Sequence, residues 1–208
     1  MRLTIIGSTG RTGRHVLAEA GHRGHQITAF TRHADQVPEL RALPCVSRAL
    51  HGDGRDPQAM RDAIADADTV IAIVGAARRK GPHHTAEVAA VITETMTELG
   101  IPRLVITSAY PIVATSPRLA IALLNRILAD AYADMKAMEQ IVTASDIGWR
   151  IARLNRLTDA PARGGTRITS GLLDKPTALT RADAAAALLD ISQNPALARA
   201  AVNIAGPR

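Results

Sequence analysis

The chain has 208 residues, 47% apolar and 21% charged, the profile of one globular domain with room for a substantial core. Lys and Arg outnumber Asp and Glu by 25 to 19, a net charge of +6, yet only 2% of residues are aromatic, too few for the base-stacking surface of a nucleic-acid binder. No apolar run reaches the length of a membrane span, the chain opens in a strand pattern with no basic-then-apolar leader, and the single cysteine excludes an internal disulfide, so a cytoplasmic protein is expected.

The first apolar run, Leu3 to Ile6, leads into "GSTGRTG", where Gly7, Gly10 and Gly13 are evenly spaced. A helical pattern with Val16, Leu17 and Ala20 on one side follows. Glycines between a first strand and a first helix let the backbone turn and approach a pyrophosphate, while the helix N-terminus offers free N–H groups and a positive dipole end. The spacing G-x-x-G-x-x-G is neither the plain G-x-G-x-x-G of many dehydrogenases nor a Walker loop, since no Gly-Lys-Ser/Thr follows. The second run, Ile27 to Phe30, ends in Thr31 and Arg32, with no acid at the strand end. An acid there would bind the ribose 2′-hydroxyl of NAD, whereas an arginine accommodates a 2′-phosphate. Arg32, with Arg11 as a second cation in the loop, therefore points to NADP(H).

A weaker run, Leu43 to Ala49, contains Cys45, expected as a small buried strand residue. It precedes "HGDGRD", whose Asp53 could accept a hydrogen bond from an adenine amino group or could simply shape a turn. The run from Val70 to Val74 ends at Gly75, where a missing side chain would admit a cofactor. The basic cluster from Arg78 to His84 reads either as a solvated loop or as an attraction for an anionic ligand. His83 and His84 are adjacent, so their side chains diverge, and with only Glu87 nearby no metal site is expected. Val88, Ile92, Met96 and Leu99 recur at helical spacing until Gly100 and Pro102 stop the helix.

The next strand pattern, Leu104 to Thr107, ends in Ser108 and Tyr110. Beyond it Leu119, Leu123, Leu124, Ile127 and Leu128 form a broad apolar helical face, for packing on the sheet, for a substrate lid, or for contact with a second copy of the chain. Strand patterns return at Trp149 to Leu154 and Ala201 to Ile204, separated by a Gly-, Pro-, Thr- and Arg-rich stretch from 155 to 180. Alternating buried strands and helices argue for an α/β fold: a single doubly wound parallel sheet with helices on both faces. Ligands of such sheets lie at the carboxyl ends of the strands, so the segments 111–130 and 155–180 are expected to cover a substrate.

These residues together resemble the atypical short-chain dehydrogenase/reductase superfamily, and within it the compact NAD(P)H-binding group of flavin reductase-like and NmrA-like proteins. The resemblance spans essentially the whole chain and rests on "GSTGRTG", Arg32, "GDGRD", "IPRLVITSAY", "DMKAMEQIVTASDIGWRIARL" and the closing "LTRADAAAALLDISQNPALARAAVNIAG". It implies a single Rossmann-type domain over residues 1–208. It also implies that Gly7, Thr9, Gly10, Arg11, Thr12 and Gly13 form the phosphate loop, that Arg32 holds the 2′-phosphate and Asp53 the adenine, and that Gly75 and Ala76 line the cofactor. Ser108 matches the serine beside the nicotinamide. The wider superfamily adds a Tyr-x-x-x-Lys pair, in which lysine lowers the tyrosine pKa and the tyrosine acts as general acid. "YADMK" satisfies that spacing with Tyr132 and Lys136, while the compact group's own pattern is matched by Asp134, Met138 and Glu139, and Tyr110 is a rival hydroxyl near Ser108. Relatives often end the sixth strand in Arg-Pro, whereas here Arg153 is followed by Leu154 and Asn155. The activity implied is NADPH-dependent reduction of a small planar acceptor such as a flavin, a quinone or another carbonyl compound. A non-catalytic redox sensor and an epimerase that retains its cofactor are the alternatives.

Overall fold

The computed structural model describes residues 1–75 and 83–208. Ala76 and the basic cluster from Arg78 as far as residue 82 lie outside the described residues. Strands β1 (Arg2–Ile6), β2 (Gln26–Thr31), β3 (Val46–His51), β4 (Thr69–Ala72), β5 (Arg103–Ala109) and β6 (Gly148–Leu154) alternate with helices α1 (Arg11–His22), α2 (Val37–Arg41), α3 (Pro57–Ile64), α4 (Thr85–Leu99), α5 (Arg118–Ile127) and α6 (Ala129–Ala144). The chain closes with β7 (Leu157–Thr158), β8 (Arg167–Thr169), β9 (Leu179–Thr180), α7 (Arg181–Gln193) and β10 (Ala200–Ala205).

The main sheet has the order β3-β2-β1-β4-β5-β6-β10-β8, parallel except where β8 runs antiparallel to β10. The chain therefore winds outward from β1 in both directions, which leaves a crevice at the carboxyl ends of β1 and β4. Ile5 lies between Ala29 and Ile71, and all three are fully buried, as expected of parallel strands covered on both faces. On one face Leu3 and Ile5 pack with Val16 and Leu17 of α1 and Leu188 and Leu189 of α7. On the other, Ile6, Leu104, Ile106 and Ile151 pack with Met60 of α3, Ile92 and Met96 of α4 and Met138 of α6. Helix α4 stops as its sequence indicates, at Gly100 with φ +67°.

Two regions differ from the sequence reading. The stretch 155–180 contributes an eighth, antiparallel strand and a short parallel pair, β7 with β9, because Asn203 and Ile204 of β10 present a free edge to Thr169 and Ile168. Helix α5 does not pack its leucines into the core: it has no buried residue, and Leu119 and Leu123 are 88% and 58% exposed. It leans instead on α6 and on the turn Tyr110–Ile112 after β5. Cys45 is half-buried just before β3. Among the described residues no helix is long and apolar enough to cross a membrane.

Candidate functional site

The glycine loop leaves β1 at its carboxyl end, and its shape is dictated by backbone packing. Gly7 has φ +80°, and a Cβ there would collide with the carbonyl of Ile73 at the exit of β4. Gly13 lies in the first turn of α1, where a Cβ would collide with the Gly7 carbonyl and sit 2.8 Å from that of Ser8. Gly10 is different: it is extended (φ −65°, ψ 160°), and among the described residues its Cβ would meet only the Gly7 carbonyl, at 3.3 Å. No side chain caps α1 and no acid stands in its first turn. By contrast α3 is capped by Asp56, α7 by Thr180, and the first N–H groups of α4, from Thr85 and Ala86, donate to Asp134 at 2.8 and 3.2 Å. The start of α1 is thus an open donor set with a positive dipole end, the geometry that receives a phosphate.

The loop is tied to its neighbours. The Ser8 hydroxyl and the N–H groups of Gly7 and Ser8 donate to the Phe30 carbonyl, and the hydroxyls of Thr9 and Thr31 are 2.9 Å apart. Thr12 is buried behind it. Arg32 follows Thr31 directly and is exposed, with His33 as its neighbour at 3.4 Å. Gly52 N–H donates to the Thr31 carbonyl, so Asp53 emerges beside the end of β2. The Arg55 guanidinium, 2.6 Å away, and the Arg55 N–H hold the Asp53 carboxyl down at about 2. It is an anion whose two oxygens both accept from Arg55, from Nε and the main-chain N–H on one and from Nε and Nη2 on the other. Gly75, three residues beyond β4, is exposed, and a Cβ there would meet nothing within 4 Å among the described residues. Gly7, Thr9, Gly10, Thr12, Gly13, Arg32, Asp53 and Gly75 thus gather along the carboxyl ends of β1 to β4. Arg11 stands among them as the first residue of α1, its guanidinium paired with Asp159.

Ser108 sits at the same end of β5. It is buried, and its Oγ has no hydrogen-bond partner among the described residues. A buried hydroxyl left unpaired costs free energy comparable to a lost hydrogen bond, so its place next to an open crevice marks it for a ligand. Opposite it in the parallel register is Arg153, whose guanidinium donates to both oxygens of Glu139 on α6, at 2.9 and 2.6 Å. Met138 beside it is fully buried. The Asp134, Met138 and Glu139 pattern read from the sequence thus has a physical content: a helix cap, a core residue and a buried ion pair.

Helix α6 starts at the crevice end and runs back, which puts Tyr132 near the crevice, two turns from Glu139 on the same face. Tyr132 is buried, and burial pushes its phenol above the ordinary value of 10.0. Lys136 is exposed on the flank of the helix, and no hydrogen bond joins it to Tyr132 among the described residues. The structure therefore brings Tyr132 to the Ser108 end of the sheet but does not bring the lysine onto the phenol. Tyr110 does not compete for the acid role, because its hydroxyl is spent on the main chain of Leu173, accepting from its N–H at 3.0 Å and donating to its carbonyl at 3.4 Å. That bond docks the 155–180 segment beside β5. Asn155 donates from Nδ2 to the Thr177 carbonyl at 2.7 Å and ties the exit of β6 to the same segment.

Asp159 and Asp183 are functional candidates that the sequence reading missed. Asp183, buried at the start of α7, accepts from the N–H groups of Arg163 and Gly164 and from the Thr180 hydroxyl. Burial raises its pKa, but these donors outweigh burial and hold the carboxyl below its usual range. The Thr-x-x-Asp spacing at the head of an apolar helix was the available signal for Asp183. Asp159 had none.

A family model described as NAD(P)H-binding matches residues 7–195. A curated relative, 4-hydroxy-tetrahydrodipicolinate reductase of Natronomonas pharaonis, is 39% identical over 44 residues, which is 21% of this chain and 18% of the relative. The chain thus spans less than a fifth of that protein's length. Among solved structures, a short-chain dehydrogenase/reductase of Veillonella parvula in complex with NADP superposes with a TM-score of 0.85 at 17% identity, covering 99% of this chain and 94% of the other. ChuY, an anaerobillin reductase of Escherichia coli, superposes with a TM-score of 0.81 at 20% identity, covering 100% and 98%.

Proposed function

The chain belongs to the NAD(P)H-binding family, and we propose that it is an NADPH-dependent reductase acting on a small planar acceptor. The observation that carries this reading is the buried Ser108 Oγ at the end of β5, without a partner among the described residues and on the same rim as the uncapped N-terminus of α1. The first would give an acceptor a hydrogen-bond donor, and the second would give the cofactor's pyrophosphate its N–H groups. The preference for NADP(H) is supported by Arg32 at the end of β2 and by the lack of an acid there.

Bound NADPH supplies the hydride. The chain's own residues bind, orient and exclude water. The first N–H groups of α1 receive phosphate oxygens, and the Thr9–Thr31 hydroxyl pair keeps the loop seated against β2. The Ser108 hydroxyl donates to the acceptor atom on which negative charge develops. Tyr132, kept protonated by burial, is the candidate source of the proton that a carbonyl acceptor needs, with Lys136 outside hydrogen-bond reach of it. A flavin or quinone can take that proton from water instead. Leu119 and Leu123 of α5, exposed above the turn at Tyr110, offer an apolar cover that suits a flat, poorly hydrated ring system. ChuY, an anaerobillin reductase, adds tetrapyrroles to the acceptors worth testing.

The test is a screen of NADPH oxidation against flavins, quinones, linear tetrapyrroles and simple carbonyls. Sustained turnover with a planar member and little with simple aliphatic ketones supports the proposal. Tight NADPH binding with no turnover on any of them would favour a redox sensor.

A further inference from the structure

Asp159 is held in place by backbone pairing. Strands β7 and β9 run parallel, with Leu157 opposite Leu179 and Thr158 opposite Thr180. The next residue on each strand is therefore Asp159 beside Arg181, and their side chains meet at 2.6 Å. Leu179 and Thr180 are buried, and Thr180 caps α7, so this corner is anchored to the core. The second partner of Asp159 is Arg11, the first residue of α1. The two arginines differ in setting: the Arg181 side chain is 13% exposed and that of Arg11 69%. Arg181 is the fixed counterion, and Arg11 is the one free to leave.

We infer that Asp159 is a specificity-determining residue for the cofactor, holding Arg11 in the free protein and yielding it to the 2′-phosphate of NADP(H). This rests on the reading that the glycine loop binds NADP(H). A phosphate carries more charge and more acceptor oxygens than a carboxylate and matches the guanidinium fork, so it outcompetes an exposed Asp for a mobile Arg. Asp159 keeps Arg181 as partner when Arg11 departs, so the exchange leaves no buried charge unpaired. NADH has no 2′-phosphate to offer and leaves the Arg11–Asp159 pair intact. Asp159 therefore sets the margin between the two cofactors from a segment that follows β6, far along the chain from the phosphate loop.

The test is a titration of NADPH and NADH, at low ionic strength, against the parent protein, Asp159→Asn, Arg11→Ala and the double variant, with melting temperatures to confirm folding. Asp159→Ser serves as a second variant, and Asp146→Asn at the opposite end of β6 controls for net charge. Asp159→Asn should tighten NADPH binding about two- to fivefold, the factor that an exposed ion pair carries, and leave NADH unchanged. In the Arg11→Ala background the same change should do nothing. Equal tightening of both cofactors, tightening that survives without Arg11, or weaker NADPH binding would each overturn the inference. A parent protein that binds neither cofactor would overturn the cofactor reading itself, a result separable from these.

Discussion

Gly10→Val tests whether the space beyond the loop belongs to a ligand. The backbone at Gly10 is extended and suits any residue, and among the described residues a Cβ would approach only the Gly7 carbonyl, at 3.3 Å. Valine is a poor N-cap, which costs about 1 kcal/mol. In a chain of this size that lowers Tm by about 2–4 °C. The ligand loses more. Branched methyls would stand over the first N–H groups of α1, and each charge-assisted hydrogen bond to phosphate is worth about 1.5–3 kcal/mol. Losing two such bonds weakens NADPH binding by roughly 10²–10⁴-fold. Gly13→Ala is the contrasting variant: its methyl has to displace the carbonyls of Gly7 and Ser8, so it should unfold the loop and lower Tm well beyond the Gly10→Val value. The assays are thermal denaturation and NADPH titration on both variants. Gly10→Val with a parent-like dissociation constant, or with a stability loss matching that of Gly13→Ala, would refute the reasoning.

Four further outcomes are expected. Arg32→Ala should erase about tenfold to hundredfold of NADPH preference over NADH while NADH affinity stays constant, as read by paired titrations. Glu139→Ala leaves the Arg153 guanidinium unpaired with a side chain only 18% exposed, and should cost about 3–5 kcal/mol, seen as a large fall in Tm. Tyr132→Phe should slow carbonyl reduction by about 10²–10⁴-fold with unchanged NADPH affinity, and because burial raises the parent phenol's pKa, the parent rate should show no alkaline loss below about pH 10. The lowered pKa of Asp183 means that its stabilisation is fully present above the unfolded value of about 3.9 and is lost as pH falls below it, so cleavage within 159–166 should stay slow at neutral pH and rise only in acid, whereas Asp183→Asn should expose the segment at neutral pH.

The sheet was legible because its central strands β1, β4, β5 and β6 bury both faces and read as apolar runs, and because α4 carries a helical stripe closed by Gly100. The glycine loop was legible for the same local reason: its position between strand and helix is a property of a dozen consecutive residues. Strands β7, β8 and β9 were not legible. Two or three residues show no periodicity, and their pairing depends on β10 and on each other, many residues away. The exposure of α5 was hidden because an amphipathic pattern looks alike whether its apolar face meets a core or stays exposed. Likewise Tyr132 and Lys136 satisfy a spacing, but the rotation of α6 about its axis is set by Met138 and Glu139 packing on the sheet, and that rotation leaves Lys136 in solvent. Asp159 is visible only once the parallel register of β7 and β9 sets it beside Arg181 and within reach of Arg11.

Hydride delivery is tested most directly in a single turnover: protein in excess, loaded with NADPH carrying deuterium at the nicotinamide C4 position, mixed with the best planar acceptor from the screen. The expected result is stoichiometric oxidation of the cofactor with a primary isotope effect, lost together with turnover in Gly10→Val and slowed in Ser108→Ala. A bound cofactor that stays reduced in the presence of every acceptor, or an oxidation rate indifferent to Ser108 and to deuterium, would contradict it.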